Sequence, residues 1–313
     1  MKTHPGIPLS CSEAVSQALE SNQPIVALES TVITHGLPYP QNFSLLQRME
    51  AIITDLGAVP ATIIVWEGKA HIGIGPKLLD EIKATLSLTQ SAFMKLGSRE
   101  LPLAFARGVN GGTTVSATML LAQLAGIEVF ATGGIGGVHR GWQQSMDISM
   151  DLEALSSVPV MVVSAGCKAI LDVPATLEKL ETLAVPILGW QTGSFPLFYT
   201  ATSPYPIDNC DSIDQIVQTW RFHKALQTSS SGMLIANPIP AEHSIPSSDI
   251  DPYIDTAIEA AAQAGAHGKA LTPFLLDYLA RATEGASIRA NLALLENNAR
   301  LAARIARALK DDI

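Results

Sequence analysis

The sequence predicts an α/β protein built around a largely parallel sheet. Short apolar runs without charges, among them residues 24–28, 61–66 and 158–166, alternate with longer segments whose apolar residues recur at helical spacing. Uncharged runs of this kind are typical of strands that are buried on both faces, as strands of parallel sheets are. The chain has 313 residues, 47% of them hydrophobic, and no Pro-, Gly- or Ser-rich linker divides it. We therefore expect a single domain over residues 1–313.

The composition excludes several classes of partner. A net charge of −9 argues against binding to a nucleic-acid backbone, which requires a basic surface. The longest apolar window, residues 115–138, contains Gln123, Glu128 and several glycines, which favours a buried helix and strand over a membrane span. Three cysteines without metal-type pairing fit a reducing compartment, and the N-terminus has no apolar stretch of signal-peptide length. We expect a cytoplasmic protein that acts on a small molecule, with neither a nucleic acid nor a membrane as partner.

The first predicted buried strand, Pro24 to Leu28, is followed directly by an acidic residue, Glu29. Ligands of open α/β sheets bind beyond the carboxyl ends of the strands, so a carboxylate at this place is a candidate for catalysis. The alternative is that Glu29 caps the next loop. That loop, residues 30–42, contains His35 and two prolines, and its length predicts that it folds over the site.

The next strand, Ala61 to Trp66, is followed by residues 68–75, whose pattern predicts a hairpin or an edge ribbon. Further along, an apolar pair precedes Lys95 in a stretch that is unusually basic for so acidic a chain. We interpret Lys95 as a candidate ligand for an anion. Solvated charges around a helix are the alternative for this stretch.

Residues 108–126 are the clearest candidate for phosphate binding. Glycines lead to Thr113, Thr114 and Ser116, and a helical apolar run follows. The free N–H groups at a helix start and the positive end of its dipole attract anions. The segment is not a Walker A loop, because no Gly-Lys-Ser/Thr follows at the required spacing, and residues 133–141 are not a Rossmann fingerprint, because His139 occupies the place of the third glycine.

Asp147, Ser149 and Asp151 alternate with apolar residues after a glycine loop that carries His139 and Arg140. In an extended segment the three alternating side chains would point to one side. Two carboxylates and a hydroxyl suit Mg²⁺ or Mn²⁺. The alternative is that Asp147 caps a turn and Asp151 starts a helix. His139 and Arg140 either bind phosphate or form an exposed turn.

Lys168 follows the uncharged run Val158 to Gly166 at a distance of two residues. Burial disfavours the ammonium form of lysine, and the neutral amine is a nucleophile for imine chemistry. Lys168 is therefore the candidate nucleophile. Cys167 is a rival, but a thiol needs a base or a positive neighbour, and adjacency places Lys168 on the other side of an extended chain. A packed Cys167 is favoured.

The C-terminal part is expected to complete the site. The irregular, aromatic loop at residues 191–206 is expected to form one wall. In the last helix, which is predicted to begin at Ser287, Asn291 is placed to point inward, and Asn297 and Asn298 are expected at the surface.

Eight segments of the chain carry a family resemblance. They are, in order, ALESTVITHGLPYPQN, KLGSREL, NGGTTVSATMLLAQLAGIEVFATGGIGGVHRG, DISMDL, SAGCKAILD, QTGSFPLFY, ANPIP and GKALTPFLL. They resemble the pseudouridine-5'-phosphate glycosidase family, which also includes indigoidine-pigment-associated proteins, from about Pro24 to the last helix. The resemblance implies reversible cleavage of the C-glycosidic bond of pseudouridine 5'-phosphate to uracil and ribose 5-phosphate. It also implies a divalent cation such as Mn²⁺ or Mg²⁺, a three-layer α/β/α fold and a homotrimer. Some members carry a fused sugar kinase, and none is expected within residues 1–313.

The resemblance also implies roles for single residues. Glu29 matches the proton donor of the family, Lys168 its nucleophile and Asp147 its metal-coordinating aspartate. The positions that match substrate contacts or other pocket residues are Lys95, Val115, His139, Ser149, Met150, Asp151 and Asn291, and Thr113 joins them as part of the phosphate segment.

The expected reaction requires assistance at both ends of a carbon–carbon bond, because C5 of uracil would otherwise leave as a carbanion equivalent. If the ribose ring opens and Lys168 joins C1', an imine links the sugar to the enzyme, while Glu29 protonates the uracil carbon directly or through water. Two alternatives stay open. One is a Schiff-base lyase or aldolase acting on another sugar phosphate, and the other is a non-catalytic sugar-phosphate-binding accessory protein of a pigment pathway.

Overall fold

The computed structural model describes residues 6–37, 39–89, 92–226, 230–266 and 271–311, apart from the side chains of residues 272 and 273. The first three residues of the GKALTPFLL segment therefore lie outside the described ranges. Within these ranges the strands are β1 Leu9–Cys11, β2 Ile25–Glu29, β3 Val59–Trp66, β4 Lys69–Ile72, β5 Met94–Leu96, β6 Gly111–Thr113, β7 Val129–Ala131, β8 Met161–Ser164, β9 Ile187–Trp190, β10 Asp208–Cys210 and β11 Met233–Ala236.

The helices of the same ranges follow the strands along most of the chain. They are α1 Glu13–Glu20, α2 Gln41–Asp55, α3 Pro76–Leu88, α4 Leu101–Arg107, α5 Val115–Ala125, α6 Trp142–Ser145, α7 Met150–Ser157, α8 Val173–Thr182, α9 Ile213–Ala225, α10 Ser247–Gln263, α11 Leu271–Ala282 and α12 Ala286–Asp311, together with a π-helical turn at Val32–Gly36 and 3₁₀ turns at Ser98–Glu100 and Ala241–His243. No helix in the described part of the chain is both long enough and apolar enough to span a bilayer.

The sheet is mixed and largely parallel, as predicted. Its order is β1-β4-β3-β2-β7-β8-β11-β9-β10, with β6 attached to β3 and β5 attached to β6. Among the described strands, β3 pairs antiparallel with β4 and with β6, and the other ladders are parallel. Because β2, β7 and β8 lie side by side and run in the same direction, their carboxyl ends meet at one edge of the sheet.

Helices cover both faces of this sheet. The strands β2, β7, β8 and β11 are buried along their whole length, as strands between two helical layers are. The helix α12 packs on β2, β7 and β8, and α5 packs on β2, β3 and β7. The arrangement is the expected three-layer α/β/α fold, and it leaves the carboxyl edge of the central strands open for a site.

Residues 68–75, predicted to form a hairpin or an edge ribbon, supply one strand of a hairpin, β4, which pairs antiparallel with the preceding strand β3. The two-residue turn of this hairpin consists of Glu67 and Gly68, with φ of 48° and 70°. Positive φ at both positions is the signature of a type I' turn, whose twist matches that of the flanking strands. Gly68 is also required for space, since a Cβ there would lie 2.7 Å from the Cα of Gly108.

The uncharged run 158–166 forms a shorter strand than its length predicts. Only Met161–Ser164 belongs to β8. Beyond the strand, Ala165 N–H donates to the Gly133 carbonyl at 2.9 Å, so the chain continues by bonding to the loop that follows β7. This contact directs the next residues along the carboxyl edge of the sheet, where Lys168 lies.

Candidate active site

Glu29 is the last residue of β2, and two hydroxyl groups hold its carboxylate. Thr31 Oγ1 donates to Oε2, and Thr132 Oγ1 donates to Oε1. Thr132 directly follows β7, the strand next to β2, so the parallel register brings it beside Glu29. Glu29 is 9% exposed and borders a cavity. Its carboxylate is therefore fixed by both oxygens at the edge of the sheet where ligands bind.

Lys168 reaches the same cavity from the loop after β8. Its backbone N–H donates to the Ile135 carbonyl at 3.0 Å, and its own carbonyl accepts from Leu171 N–H at 3.1 Å. These two bonds fix the backbone at the carboxyl edge of the sheet. The residue is half-buried, and it lines the cavity together with Glu29.

Cys167, the rival nucleophile, lies in the core. It is 0% exposed, and burial raises the pKa of its thiol to about 12. The thiolate is the reactive form of cysteine, and a thiol with so high a pKa carries almost no thiolate near neutral pH. The structure therefore favours Lys168 over Cys167, in agreement with the alternation predicted for an extended chain.

The cavity measures about 840 Å³ when it is counted out to its open mouth. Both loops that were predicted to cover the site contribute to it, and α11 adds an apolar wall that was not predicted. The leucines of α11 have the same spacing as those of a helix packed in the core, so the sequence could not predict that this helix lines a cavity. The lining residues are Glu29, Thr31, Val32, His35, Gly36, Leu37, Lys95, Thr132, Gly133, Gly134, Lys168, Ala169, Ile170, Phe198, Tyr199, Leu275, Leu276, Leu279, Asn291 and Leu295.

Three charged side chains act electrostatically on His139, which is half-buried and does not belong to the lining of the cavity. Burial lowers the pKa of the imidazole, the carboxylate of Asp147 opposes this, and the charges of Lys168 and Lys95 add to the lowering. The backbone N–H of His139 also donates to the Asp147 carbonyl at 3.0 Å. The groups predicted for anion binding, metal binding and imine chemistry, Lys95, Asp147 and Lys168, therefore all lie within electrostatic reach of His139. Arg140 is exposed and pairs at 2.6 Å with Asp255 of α10, so the exposed-turn alternative holds for this residue.

The segment after His139 does not stay extended. Met150 begins α7, and Ser149 is its N-cap, with Oγ accepting from Asp151 N–H at 3.2 Å. The prediction that this segment stays extended through Asp151 is wrong, because the N-cap at Ser149 ends the alternation and starts a helix. Ser149 Oγ and Asp151 Oδ2 nevertheless both face Gly136. The helical alternative holds for Asp151, which lies in the first turn of α7.

The donor set that the described residues offer to a hard divalent cation is small. Among the described residues, no group of three or more His, Cys, Asp or Glu side chains is arranged to hold a metal ion. Asp147 offers one half-buried carboxylate, and His139 lies beside it. Cations of the Mg²⁺ type bind through one or two carboxylates and keep several waters, so this smaller donor set is chemically sufficient.

The carboxylate of Asp151 caps the N-terminus of α5. Its Oδ1 accepts from Ser116 N–H at 2.9 Å, and its Oδ2 accepts from Gly136 N–H at 2.8 Å. A carboxylate at this place stabilises the positive end of the helix dipole. Thr113 is fully buried and donates its hydroxyl to a carbonyl of β3 at 2.7 Å, and Val115 is fully buried as well. Thr113, Val115 and Asp151, which the sequence suggested as substrate contacts, are buried and do not belong to the lining of the cavity.

Of the three asparagines of α12, more than the predicted one point inward. Asn291 lines the cavity, as expected. Asn298 is 0% exposed, so its predicted surface position is wrong. Its Nδ2 donates to the Thr132 carbonyl at 2.7 Å, and its Oδ1 accepts from Asn237 Nδ2 at 2.9 Å. Asn297 is half-buried and donates to a backbone carbonyl.

The fold and the cavity define an α/β enzyme with an amine and a carboxylate in one site. The model of the family described as indigoidine synthase A like protein matches residues 14–308, and the chain belongs to this family.

Named relatives span nearly the whole chain. The pseudouridine-5'-phosphate glycosidase of Caldanaerobacter subterraneus subsp. tengcongensis is 47% identical over 303 residues, which cover 95% of this chain and 95% of the relative. The protein of the same name from Mesorhizobium japonicum is 49% identical over 297 residues, with 94% and 95% covered.

Two solved structures share the fold. An indigoidine synthase A-like protein from Thermotoga maritima superposes with a TM-score of 0.88 at 35% identity and covers 99% of both chains. The prealnumycin C-glycosynthase AlnA, solved in complex with ribulose 5-phosphate, has a TM-score of 0.88 at 33% identity and covers 98% of both chains.

Proposed function

We propose that this protein is a pseudouridine-5'-phosphate glycosidase, which reversibly cleaves the C-glycosidic bond of its substrate to uracil and ribose 5-phosphate. One observation carries the proposal: Glu29 and Lys168, from the carboxyl ends of β2 and β8, open onto a single cavity that also contains Lys95. A proton donor, an amine nucleophile and a cation for the phosphate are the groups this substrate requires. Relatives that are 47% and 49% identical carry this name.

The bond to be broken joins C1' of the ribose to C5 of uracil. When the ribose ring opens, the C1'–O4' bond breaks and the neutral amine of Lys168 forms a bond to C1'. The nitrogen then releases a proton, which balances the proton that O4' takes up, and keeps a lone pair. Glu29 then transfers a proton to C5 of uracil. As the C1'–C5 bond breaks, its electrons restore the C5=C6 double bond of uracil, and the nitrogen lone pair forms a C1'=N iminium. Water hydrolyses this iminium, which releases ribose 5-phosphate and frees Lys168.

The hydrogen bonds around Glu29 suit a group that gains and loses a proton. Thr31 and Thr132 each contact one carboxylate oxygen through a hydroxyl group. A hydroxyl can accept as well as donate, so either bond can reverse its direction when Glu29 is protonated. The carboxyl group therefore keeps its orientation toward the cavity in both protonation states.

Lys95 is the proposed charged ligand of the substrate phosphate. It lies on β5 opposite Gly112 of β6 and therefore close to the start of α5. Since Asp151 already accepts the Ser116 N–H at that helix start, we assign the main charged contact to Lys95 rather than to the helix end. Asp147 would hold Mn²⁺ or Mg²⁺, which when bound supplies positive charge for substrate oxygens.

We further propose a cytoplasmic homotrimer. The three cysteines are free thiols, which fits a reducing compartment. The trimer rests on the family resemblance alone. Light scattering coupled to gel filtration tests it, and a monomer or dimer mass would contradict it.

Uracil release tests the proposed function directly. The purified protein is incubated with pseudouridine 5'-phosphate and Mn²⁺, and uracil and ribose 5-phosphate are quantified by chromatography. We expect equal amounts of both products from the wild type and almost none from Glu29→Gln or Lys168→Ala. Cleavage of another phosphosugar without uracil release would favour the Schiff-base lyase alternative, and binding without any turnover would favour the accessory protein.

A further inference from the structure

A buried amide network joins the last helix to the turn after β7. Asn298 Nδ2 donates to the Thr132 carbonyl at 2.7 Å and lies 3.4 Å from the Gly133 carbonyl. Asn298 Oδ1 accepts from Asn237 Nδ2 at 2.9 Å, and the Asn237 N–H donates to the last carbonyl of β8 at 2.8 Å. The Asn298 side chain thus joins the carboxyl ends of β7 and β11, and the backbone of Asn237 extends the network to β8.

Thr132 connects this network to Glu29. Its carbonyl accepts from Asn298, its N–H donates to β8 at 3.0 Å, and its hydroxyl donates to the Glu29 carboxylate. The next two residues, Gly133 and Gly134, line the cavity. Consecutive glycines leave a backbone free to rotate unless an external contact restrains it. The Asn298 amide is a restraint of this kind, since it holds the carbonyl at the start of the glycine turn.

We propose that Asn298 is a positioning residue for Glu29 and acts through the Thr132 peptide. The inference rests on the proposed function, because Glu29 is taken as the proton donor. Without the Asn298 donor, the Thr132 carbonyl loses a restraint, the Cα of Thr132 shifts and carries its hydroxyl with it, and the carboxyl of Glu29 loses one of its two hydrogen bonds. Proton transfer to carbon then slows, whereas the attack of Lys168 on a sugar aldehyde does not need Glu29 in that orientation.

Asn298→Asp tests this path with almost no change in volume. The carboxylate still accepts from Asn237 but cannot donate to the Thr132 carbonyl. The matched control is Asn297→Asp, the neighbouring residue of α12, whose amide donates to a carbonyl away from Thr132 at 3.0 Å. Two rates are measured for each variant: uracil release from pseudouridine 5'-phosphate, and borohydride trapping of ribose 5-phosphate on the enzyme.

We expect Asn298→Asp to lower kcat for uracil release by on the order of 100-fold, since a displacement of about 1 Å at a reacting group costs this much. KM and the trapping rate should stay within about twofold of the wild type, because binding and amine attack are preserved. Asn297→Asp should match the wild type in both assays. A parallel fall of uracil release and trapping in Asn298→Asp would show a merely structural role and overturn the proposal.

Thr132→Val and Thr132→Ser test the same path without any change to α12. Thr132→Val removes the hydroxyl and should reproduce the loss of kcat with normal trapping, whereas Thr132→Ser should retain activity. The double variant Thr132→Val with Asn298→Asp should lose no more kcat for uracil release than the more damaging of the two single variants, because the two residues act in series. Full activity of Thr132→Val, or additive losses, would refute the proposal. Wild-type protein that releases no uracil would overturn the proposed function itself, while an active wild type with an unaffected Asn298→Asp would overturn this inference alone.

Discussion

Asp151→Asn separates a structural role of this carboxylate from a role as a metal ligand. In the wild type the two carboxylate oxygens accept from Ser116 N–H at 2.9 Å and Gly136 N–H at 2.8 Å, and the residue is 4% exposed. Asparagine keeps one oxygen for one of these donors. Its NH₂ group then faces the other backbone N–H, so two donors meet in a buried site with no acceptor between them.

The size of the effect follows from these contacts. A hydrogen bond to a charged group contributes about 1.5–3 kcal/mol, and an unsatisfied buried donor costs about 1–3 kcal/mol, so we expect a loss of about 2.5–6 kcal/mol. Unfolding entropy of about 2.1 cal/mol/K per residue gives about 0.66 kcal/mol/K for 313 residues. The melting temperature should therefore fall by about 4–9 °C.

Differential scanning calorimetry measures this shift, and Asp147→Asn is the matched control. Asp147 is half-buried four residues earlier, so the same substitution there should change the melting temperature by less than about 1 °C. It should instead raise the Mn²⁺ concentration needed for activity. If Asp151→Asn melted like the wild type and lost its activation by Mn²⁺, Asp151 would be a metal ligand, and its assignment as the cap of the α5 start would be wrong.

Lys168→Ala should abolish borohydride trapping of ribose 5-phosphate, and peptide mapping of the wild type should place the adduct on Lys168; an adduct on Lys95 would contradict the assignment of the nucleophile. Chelation of divalent cations should stop turnover, with Mn²⁺ or Mg²⁺ restoring it, whereas full activity of metal-free enzyme would remove the cation bound by Asp147 from the mechanism. Lys95→Ala should lower kcat/KM for pseudouridine 5'-phosphate by about 10- to 100-fold, the equivalent of one charged hydrogen bond, and leave the slow cleavage of free pseudouridine unchanged; equal losses on both substrates would place the phosphate elsewhere. Because the pKa of Cys167 is raised to about 12, iodoacetamide at about pH 8 should not label this residue in the native enzyme, and rapid labelling followed by mass spectrometry would disprove its burial.

The placement of Glu29 and Lys168 at the sheet edge could be predicted from the sequence. Both residues follow uncharged apolar runs, and a run that is buried on both faces must end at an edge of the sheet. The order of the strands could not be predicted in the same way, because β2 and β7 are separated by about a hundred residues and pair through tertiary packing. The role of Thr132 could therefore not be predicted either: only the pairing of β2 with β7 brings its hydroxyl to Glu29.

Residues 147–151, which were predicted to bind a metal, show why a short alternation of polar and apolar residues is weak evidence for a strand. Asp147, Ser149 and Asp151 fit a strand with one polar side, and the same residues fit a serine N-cap with an acidic first helical turn. Local propensity does not decide between the two. The decision comes from Ser116 and Gly136, whose N–H groups need an acceptor and draw Asp151 into the core. Those partners lie 35 and 15 residues away in the chain, beyond the reach of a local pattern.

The position of Asn298, in contrast, follows from the sequence once helical spacing is applied. Seven residues span nearly two turns of an α-helix, so the residue seven places after an inward residue lies on the same face. Asn291 was predicted to point inward, which places Asn298 inward as well, whereas Asn297 is rotated from it by about 100°. The buried residues Leu294 and Leu295 lie between them on that face. The inner face of α12 therefore carries two amides at different depths, one at the cavity and one at the Thr132 carbonyl. At the deeper position the residue is 0% exposed, so a polar side chain there needs hydrogen-bond partners, and the Thr132 carbonyl that it restrains is one of them.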